Sequence, residues 1–437
     1  MREIVRQKII DSLSRSPPPH TRRDVRLPSI RGKAIAVIGP RRAGKTTFLW
    51  QVLAEKLDRG FDRDALLYFN FEDERLGGMT TADLPMVVEE YYRLHPERRD
   101  RRTVVFFLDE VQVVAGWETF ARRLLDTEQI DLFLSGSSAR LLSREVATNM
   151  RGRALEALVF PFSFREFLRH RGKGPDRPLD RLTKADRSLL DKELRVYLST
   201  GGFPEAQGAS RRDRLDLIRS YVDAMLLRDV IERHAVSHPV ALRWMLRRLL
   251  GNAGGSFSIN KFQNDLRGQG IPVAKDTLHE YLSHLEDAFV IRTVGIATES
   301  ERRRMVNPRK AYPSDPGMIP VFDRSGKANI GHALETAVAL ELERRGAETA
   351  YARTAEGHEV DFLARYPDGR EELIQVCADL DSPAVRGRET KGLLEAAKEH
   401  RRAELHVVAL DDDAAPGLPK AIRLHAAAAW FMKDVET

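Results

Sequence analysis

Cysteine is almost absent from this sequence, and so are long apolar runs. Among 437 residues Cys377 is the single cysteine, which excludes an intrachain disulfide and a zinc site built from several thiolates. No apolar run approaches the roughly 20 residues that a membrane-spanning helix needs. The residues after Met1 also lack the apolar core of a signal peptide. These absences predict a cytoplasmic protein with no membrane partner.

An excess of one charge is also lacking. The chain has 71 Lys and Arg against 65 Asp and Glu, a formal net charge of +6, and this balance permits a polyanionic partner without requiring one. The basic clusters at 22–23, 98–102, 302–304 and 309–310 are first interpreted as solvated surface. The length predicts roughly two to four domains.

A glycine-bounded loop stands between a strand pattern and a helix pattern. Residues 39–46 read Gly-Pro-Arg-Arg-Ala-Gly-Lys-Thr, after the apolar run 34–38 and before the apolar-rich run 47–53. This order is typical of a loop that binds phosphate through inward-pointing backbone N–H groups and a helix N-terminus. It predicts ATP and Mg²⁺ as cofactors. The expected nucleotide-binding residues are Gly39, Arg42, Ala43, Gly44, Lys45, Thr46 and Thr47.

Two carboxylates follow a second apolar strand pattern. Residues 104–108 read Val-Val-Phe-Phe-Leu and lead into Asp109 and Glu110. Because parallel strands end at one edge of a sheet, we expect both carboxylates beside the loop at 39–46. Asp109 and Thr46 are the predicted Mg²⁺ ligands, and Glu110 is the predicted base that activates water. Ordinary turn carboxylates are the alternative.

The alternation of strands and helices predicts an α/β fold with a parallel sheet. The strands are expected at 34–38, 65–71, 104–108 and 131–134, and the last leads into Ser135-Gly-Ser-Ser138. These serines are expected near Asp109 as sensors of the γ-phosphate, or as a helix cap. The predicted divisions are an N-terminal arm (1–30), an ATPase core (31–172), a helical lid (173–250), a winged helix (251–325) and a nuclease-like domain (326–437).

The motifs GPRRAGKTTFLWQ, FFLDEVQVVAGWE, LSGSSARLLSRE and RGRALEALVFPFSFREFL resemble those of prokaryotic AAA+ and STAND-like ATPases whose C-terminal half is the domain of unknown function numbered 4143. The similarity extends over nearly the whole chain. It implies ATP hydrolysis, with Ser137 as a catalytic sensor. It also implies that Arg153, or its rival Arg151, acts on a neighbouring subunit of a homo-oligomer such as a hexamer. A structural ion pair is the alternative for Arg153, and Arg228 is a further sensor candidate.

The segment 258–294 predicts two helices followed by a β wing, the order of a DNA-binding winged helix. Its second helix places Leu278, Tyr281, Leu282, Leu285 and Phe289 on one face, and its other face is acidic. Acidic side chains repel phosphates, so a DNA contact is expected instead from residues 301–310. Packing or protein contact is the alternative role.

The C-terminal pattern resembles the restriction-endonuclease-like core. In that resemblance Glu335 and Asp361 are the acidic pair, and Gln375-Val-Cys377 stands where the superfamily has E-x-K. A neutral glutamine and a cysteine argue against nuclease activity, unless Lys391 substitutes for the missing lysine. We therefore expect an ATPase that acts on DNA. A STAND-type switch with a protein partner and an ATP-gated nuclease are the alternatives.

Overall fold

The structure is a computed structural model and describes residues 1–99, 103–136, 150, 152–323, 329–380, 382–410 and 418–433, without the side chains of 305 and 306. The chain divides into two units, Met1–Phe160 and Pro161–Thr437. The predicted α/β class is confirmed, since the first unit has a five-stranded parallel sheet and the second has a separate mixed sheet. In the described part of the chain, no helix has the length and apolarity to cross a membrane.

Apolar segments buried on both faces form the sheet of the first unit. Its strands are β1 (Ala34–Ile38), β2 (Leu66–Asn70), β3 (Val104–Asp109), β4 (Ile130–Ser135) and β5 (Ala154–Leu158). They pair in parallel in the order β2-β3-β4-β1-β5. The strand β4 therefore lies between the glycine-loop strand and the strand of Asp109, and all five carboxyl ends lie at one edge.

The described helices of the first unit are α1 (Arg2–Ser14), α2 (Lys45–Asp58), α3 (Pro85–Leu94) and α4 (Trp117–Thr127). The helix α2 buries Phe48, Leu49, Val52 and Leu53. The helix α1 packs against β2 and α3. The guanidinium of Arg63 donates to the carbonyl of Arg15 at 3.0 Å. The segment predicted as an N-terminal arm thus begins with a helix packed on the core.

The second unit begins with a largely helical half, and further helices follow along its whole length. Its helices are α5 (Phe164–His170), α6 (Lys184–Thr200), α7 (Arg211–Ala224), α8 (Pro239–Gly251), α9 (Ile259–Gly268), α10 (Lys275–Asp287), α11 (Glu301–Val306), α12 (Ile319–Phe322), α13 (Ile330–Arg344), α14 (Pro383–Glu399) and α15 (Ala427–Met432). A π-helical segment, Met225–Ile231, continues α7 and leads into a further α-helical turn, Glu232–His234. Residues 161–172, which the sequence assigns to the ATPase core, belong to this unit by their contacts.

The sheet of the second unit is continuous across two segments that the sequence treats as separate domains. Its strands are β6 (Ser256–Phe257), β7 (Ile291–Ile296), β8 (Arg309–Pro313), β9 (Glu348–Arg353), β10 (Glu359–Arg365), β11 (Glu371–Cys377), β12 (Glu404–Ala409) and β13 (Ile422–Ala426). Their order is β13-β12-β11-β10-β9-β7-β8-β6. A short parallel pairing of β7 with β9, Gly295 opposite Ala350, joins the β7–β8 hairpin to the C-terminal strands.

Candidate functional site

The glycine loop joins the carboxyl end of β1 to the first turn of α2, as the sequence predicts. Gly39 has φ 143°, and a Cβ there would lie 2.0 Å from the carbonyl oxygen of Val159, so only glycine fits. Gly44, the residue before α2, has φ 96°. Arg42 adopts φ 64°, which is uncommon for a residue with a side chain. The loop is therefore a locally strained turn built for a specific backbone shape.

Lys45 is buried at the start of α2, with 6% of its surface exposed. Its Nζ donates to the carbonyl oxygens of Gly39 at 3.0 Å and Pro40 at 2.9 Å. The ammonium thus crosses the mouth of the loop and contacts neutral acceptors within it. Thr46 and Thr47 follow in the first helical turn and are exposed.

Asp109 ends β3 at the same edge of the sheet and is fully buried. Its Oδ2 accepts from Thr46 Oγ1 at 2.9 Å and from the Tyr68 hydroxyl at 2.6 Å, and its Oδ1 accepts from Ser135 Oγ. Burial, then the neighbouring Asp109, raises the pKa of Tyr68, so that hydroxyl stays a donor. A threonine hydroxyl and a carboxylate in contact are hard oxygen ligands, so this pair fits Mg²⁺.

Glu110 follows directly and adopts a left-handed backbone conformation, with φ 53°. A side chain there costs roughly 1–3 kcal/mol of strain, which surrounding structure must offset. The amide of Gln112 donates to Glu110 Oε2. Glu110 is half-buried, so its carboxylate can meet a water molecule at the sheet edge.

The serine and arginine predictions have mixed outcomes. Ser135, at the end of β4, contacts Asp109 as expected, whereas Ser137 and Arg151 lie outside the described residues. Arg153 precedes β5 and forms an ion pair with Asp126, the alternative stated above. Arg228 is exposed and pairs with Glu232 at 3.3 Å.

Arg23 is a site residue that the sequence did not indicate. It is 6% exposed, and its Nη1 donates to the carbonyl of Ala43, inside the loop, at 2.8 Å. Its Nη2 donates to the carbonyl of Phe160. Buried Gln51 on α2 holds the Arg23 backbone, accepting from its N–H at 2.7 Å and donating to its carbonyl at 3.2 Å. The sequence signal that could have indicated this anchor is Gln51, a polar residue between the apolar Trp50 and Val52 of α2.

This anchoring has a consequence for the loop backbone. In a trans peptide the C=O and N–H point in opposite directions. Because Arg23 holds the Ala43 carbonyl on one side, the N–H of Gly44 points to the other. Arg23 therefore helps fix the orientation of an N–H group in the glycine loop.

Comparison with known proteins agrees with this geometry. Residues 31–168 match the family model described as an AAA domain. Over 397 residues the chain is 31% identical to the uncharacterized protein MJ1544 of Methanocaldococcus jannaschii, an alignment that covers 90% of this chain and 85% of that one. The chain belongs to the MJ1544 family. It has an AAA-type P-loop ATPase fold in its first unit.

The chain is also similar to an uncharacterized protein of Haemophilus influenzae, with 28% identity over 84% of this chain and 87% of that protein. The Walker-type ATPase PABY2304 of Pyrococcus abyssi is similar with 16% identity and a TM-score of 0.40, covering 74% of this chain and 95% of that one. Residues 191–326 match domain of unknown function 8612. This match corrects the resemblance to domain 4143 stated from the sequence.

In the C-terminal half of this MJ1544-family chain, Glu335 on α13, Asp361 on β10 and Gln375 on β11 lie close together. Gln375 Nε2 donates to Asp361 Oδ2 at 2.8 Å. Cys377 is buried.

Lys391, considered as a substitute lysine, is instead exposed and lies 3.4 Å from Glu356. The lysine that enters the cluster is Lys310, which bonds Asp361 at 2.9 Å and is 3% exposed. Lys310 belongs to the segment 301–310 from which a DNA contact is expected, but its own ammonium lies inside the fold.

The predicted core face of α10 is buried. This holds for all five residues assigned to it: Leu278, Tyr281, Leu282, Leu285 and, just after the helix, Phe289. Asp276, His279 and Glu280 are exposed, as expected for the acidic outer face. Glu286 was expected to face solvent, but it is partly buried and accepts from the Thr293 hydroxyl at 2.6 Å. Burial raises its pKa. Glu286 therefore does not belong to the exposed acidic face of α10.

Proposed function

We propose that the chain is a Mg²⁺-dependent ATPase that hydrolyses ATP at the edge of the first sheet. The observation that carries this proposal is the contact of Thr46 Oγ1 with Asp109 Oδ2 at 2.9 Å, beside the ammonium of Lys45. One hydroxyl, one carboxylate and one buried ammonium at a helix N-terminus are the groups that a metal-bound polyphosphate requires.

The site residues divide the proposed reaction among them. The glycine loop presents backbone N–H groups to the phosphates through the residues Gly39, Arg42, Ala43, Gly44 and Thr47. Lys45 leaves its two carbonyl partners and bonds β- and γ-phosphate oxygens. Thr46 and Asp109 hold Mg²⁺, which when bound neutralises charge on the phosphate oxygens. Glu110 orients the attacking water and accepts its proton. Ser137 is proposed to contact the γ-phosphate.

The role of Glu110 gives the test. Glu110→Gln keeps the side-chain shape and removes the base, so we expect turnover to fall by about 10²–10⁴-fold with ATP affinity unchanged within about twofold. Phosphate release measures the rate, and a fluorescent ATP analogue measures the affinity. Exposed Glu74 provides the control, since Glu74→Gln should hydrolyse ATP at the normal rate. Near-normal turnover by Glu110→Gln would refute the assignment.

We also propose that the chain acts as a homo-oligomer, with Arg153 reaching the neighbour's ATP. Arg153 stands at the amino end of β5, whereas the glycine loop follows the carboxyl end of β1, the strand paired with β5 in parallel. The five residues of β5 separate the two positions by about 16 Å. An arginine this far from its own loop can serve another subunit. Mixing Arg153→Ala chains with Glu110→Gln chains should restore part of the activity; no restoration would contradict the trans role.

A second proposal is that ATP hydrolysis is coupled to DNA through the second unit. Its support is the helix pair α9 and α10 with the β7–β8 hairpin, next to the exposed residues Arg302, Arg303 and Arg304 on α11. Duplex, single-stranded or branched DNA should stimulate the ATPase, and the effect should weaken as salt rises. A rate indifferent to all three would instead favour a STAND-type switch with a protein partner.

A further inference from the structure

Three carboxylates of the second unit converge on the ammonium of Lys310. Its Nζ lies 2.9 Å from Asp361 Oδ1, 2.9 Å from Glu359 Oε1 and 3.2 Å from Glu335 Oε1. Lys310 comes from β8, Glu335 from α13, and the other two from β10. This resident-cation cluster, defined as Lys310, Glu335, Glu359 and Asp361, therefore joins three elements of the second unit.

Neutral donors occupy further positions on the same carboxylates. Asp361 Oδ2 accepts from Gln375 Nε2 at 2.8 Å and from the Val376 N–H at 3.0 Å. Glu335 Oε1 also accepts from the Tyr312 hydroxyl at 2.8 Å. The side-chain oxygen of Gln375 accepts from the Asp361 N–H at 3.3 Å. Both oxygens of Asp361 and one oxygen of Glu335 thus already accept hydrogen bonds.

The charges argue in the same direction. Lys310 is buried, and all three carboxylates lie within 3.2 Å of its Nζ. Carboxylates this close favour the charged form of an amine. The cluster therefore already contains a cation in contact with each of its carboxylates. A divalent cation could enter only by expelling the ammonium into solvent.

The resemblance to restriction endonucleases implies a divalent metal ion at Glu335 and Asp361, and these residues do not fit one. We propose that Lys310 is the resident cation of the cluster, taking the place of that metal ion, so that the C-terminal half binds no divalent cation there and cleaves no nucleic acid. Through its ion pairs, Lys310 also links β8, and with it the β7–β8 hairpin, to α13 and β10. This proposal is independent of the ATPase proposal, since it concerns only the second unit.

The rival interpretation is that Lys310 is the nuclease lysine, supplied from β8 instead of from β11. The two interpretations differ in a measurable way. A nuclease site binds metal through Asp361 while the lysine is present. A resident cation excludes metal until the lysine is removed.

The experiment is a Mn²⁺ titration of the full-length, nucleotide-free chain, followed by the electron paramagnetic resonance of free Mn²⁺. The wild-type chain should show no site that depends on Asp361. Lys310→Ala should bind Mn²⁺ at least about tenfold more tightly than wild type, because carboxylates then lack their cation. The double variant with Asp361→Asn should lose this gain. Arg309→Ala, on the same strand but exposed, is the matched control and should behave as wild type.

Several results would overturn the proposal. Mn²⁺ binding by the wild type that disappears in Asp361→Asn would do so, as would Mn²⁺-dependent nicking of plasmid DNA that Lys310→Ala abolishes. A folded Lys310→Ala chain, checked by circular dichroism, that gains no Mn²⁺ affinity would also contradict it. If Lys310→Ala does not fold without metal, rescue of its thermal unfolding by Mn²⁺ supports the proposal, and the wild-type titration decides it in any case.

Discussion

Two buried lysines of this molecule contact different kinds of acceptor. Lys45 donates to two neutral backbone carbonyls of its own loop, at 3.0 and 2.9 Å. Lys310 contacts three carboxylates within 3.2 Å. Both have an exposure below 7%. The partners therefore decide what each lysine can do.

A polyphosphate offers a lysine stronger, charge-assisted bonds than backbone carbonyls do, so it can displace the carbonyls of Gly39 and Pro40 from Lys45. A cation among carboxylates has no charge left to offer, and removing it leaves buried anions unpaired. The carboxylates differ in the same way. Asp109 is held by three hydroxyl groups, which can share it with a metal ion, whereas Asp361 is held by an ammonium and amide donors.

Removing the charge of Lys310 should produce the largest effect on stability. We expect Lys310→Met to lower the free energy of unfolding by about 3–5 kcal/mol, because it leaves buried carboxylates without a cation. Urea denaturation followed by tryptophan fluorescence measures the loss. The ATP affinity of the folded fraction should stay within about twofold of wild type. A change below about 1 kcal/mol would remove the contrast between the two lysines.

The same substitution at Lys45 should reverse this pattern. Lys45→Met should weaken ATP binding by at least about 100-fold, equivalent to about 2.7 kcal/mol, because charge-assisted bonds to the phosphates are lost. Its free energy of unfolding should change by less than in Lys310→Met, since the three carboxylates around Lys310 lose their cation in that variant. Calorimetric ATP titration and urea denaturation give the two values. Retained affinity would refute the phosphate-binding role of the loop lysine.

A smaller effect is expected at Arg23, which acts on the loop backbone without touching the nucleotide in our proposal. Arg23→Met should weaken ATP binding by about tenfold, the equivalent of one charged hydrogen bond of about 1.5 kcal/mol. Turnover at saturating ATP should be nearly unchanged, a separation that general loss of structure would not produce. Exposed Arg22 serves as the control, and Arg22→Met should bind ATP normally. Equal affinities for the two variants would contradict the positioning role of Arg23.

The smallest effect should follow Tyr68→Phe, which removes one of three hydroxyl donors to Asp109. We expect the free energy of unfolding to fall by about 1 kcal/mol, the net value of a typical hydrogen bond. The Mg²⁺ concentration needed for half-maximal turnover should shift by only a few fold, since Thr46 remains. Complete loss of the Mg²⁺ response would show that the tyrosine, and not the Thr46–Asp109 pair, organises the metal site.

Local patterns predicted four of the five strands of the first sheet but not β5. The apolar run 34–38, the glycine loop and the carboxylates at the end of β3 each have a short-range physical signature, and the parallel register brings them to one edge. The buried face of α10 followed from helical periodicity in the same way. The roles assigned to all the site residues, Ser137 and Arg153 included, remain predictions.

Arg23 and Lys310 could not be predicted, for a common reason. Both lie in basic clusters, at 22–23 and 309–310, that were interpreted as solvated surface because isolated charges rarely enter a core. Their burial depends on partners far away in sequence: Phe160 for Arg23 and Asp361 for Lys310. No periodicity links such positions. Only the folded backbone reveals which member of each basic pair turns inward.

The stoichiometry of Mn²⁺ binding, measured with and without a non-hydrolysable ATP analogue, tests the contrast between the two lysines most directly. Because the glycine loop and the Thr46–Asp109 pair require a nucleotide, whereas Lys310 already neutralises the second cluster, we predict tight binding of one Mn²⁺ per chain with the analogue. Without it we predict no tight site. Tight Mn²⁺ binding in the absence of nucleotide, lost on Asp361→Asn, would contradict the role assigned to Lys310, and no tight Mn²⁺ in the presence of the analogue would contradict the Thr46–Asp109 site.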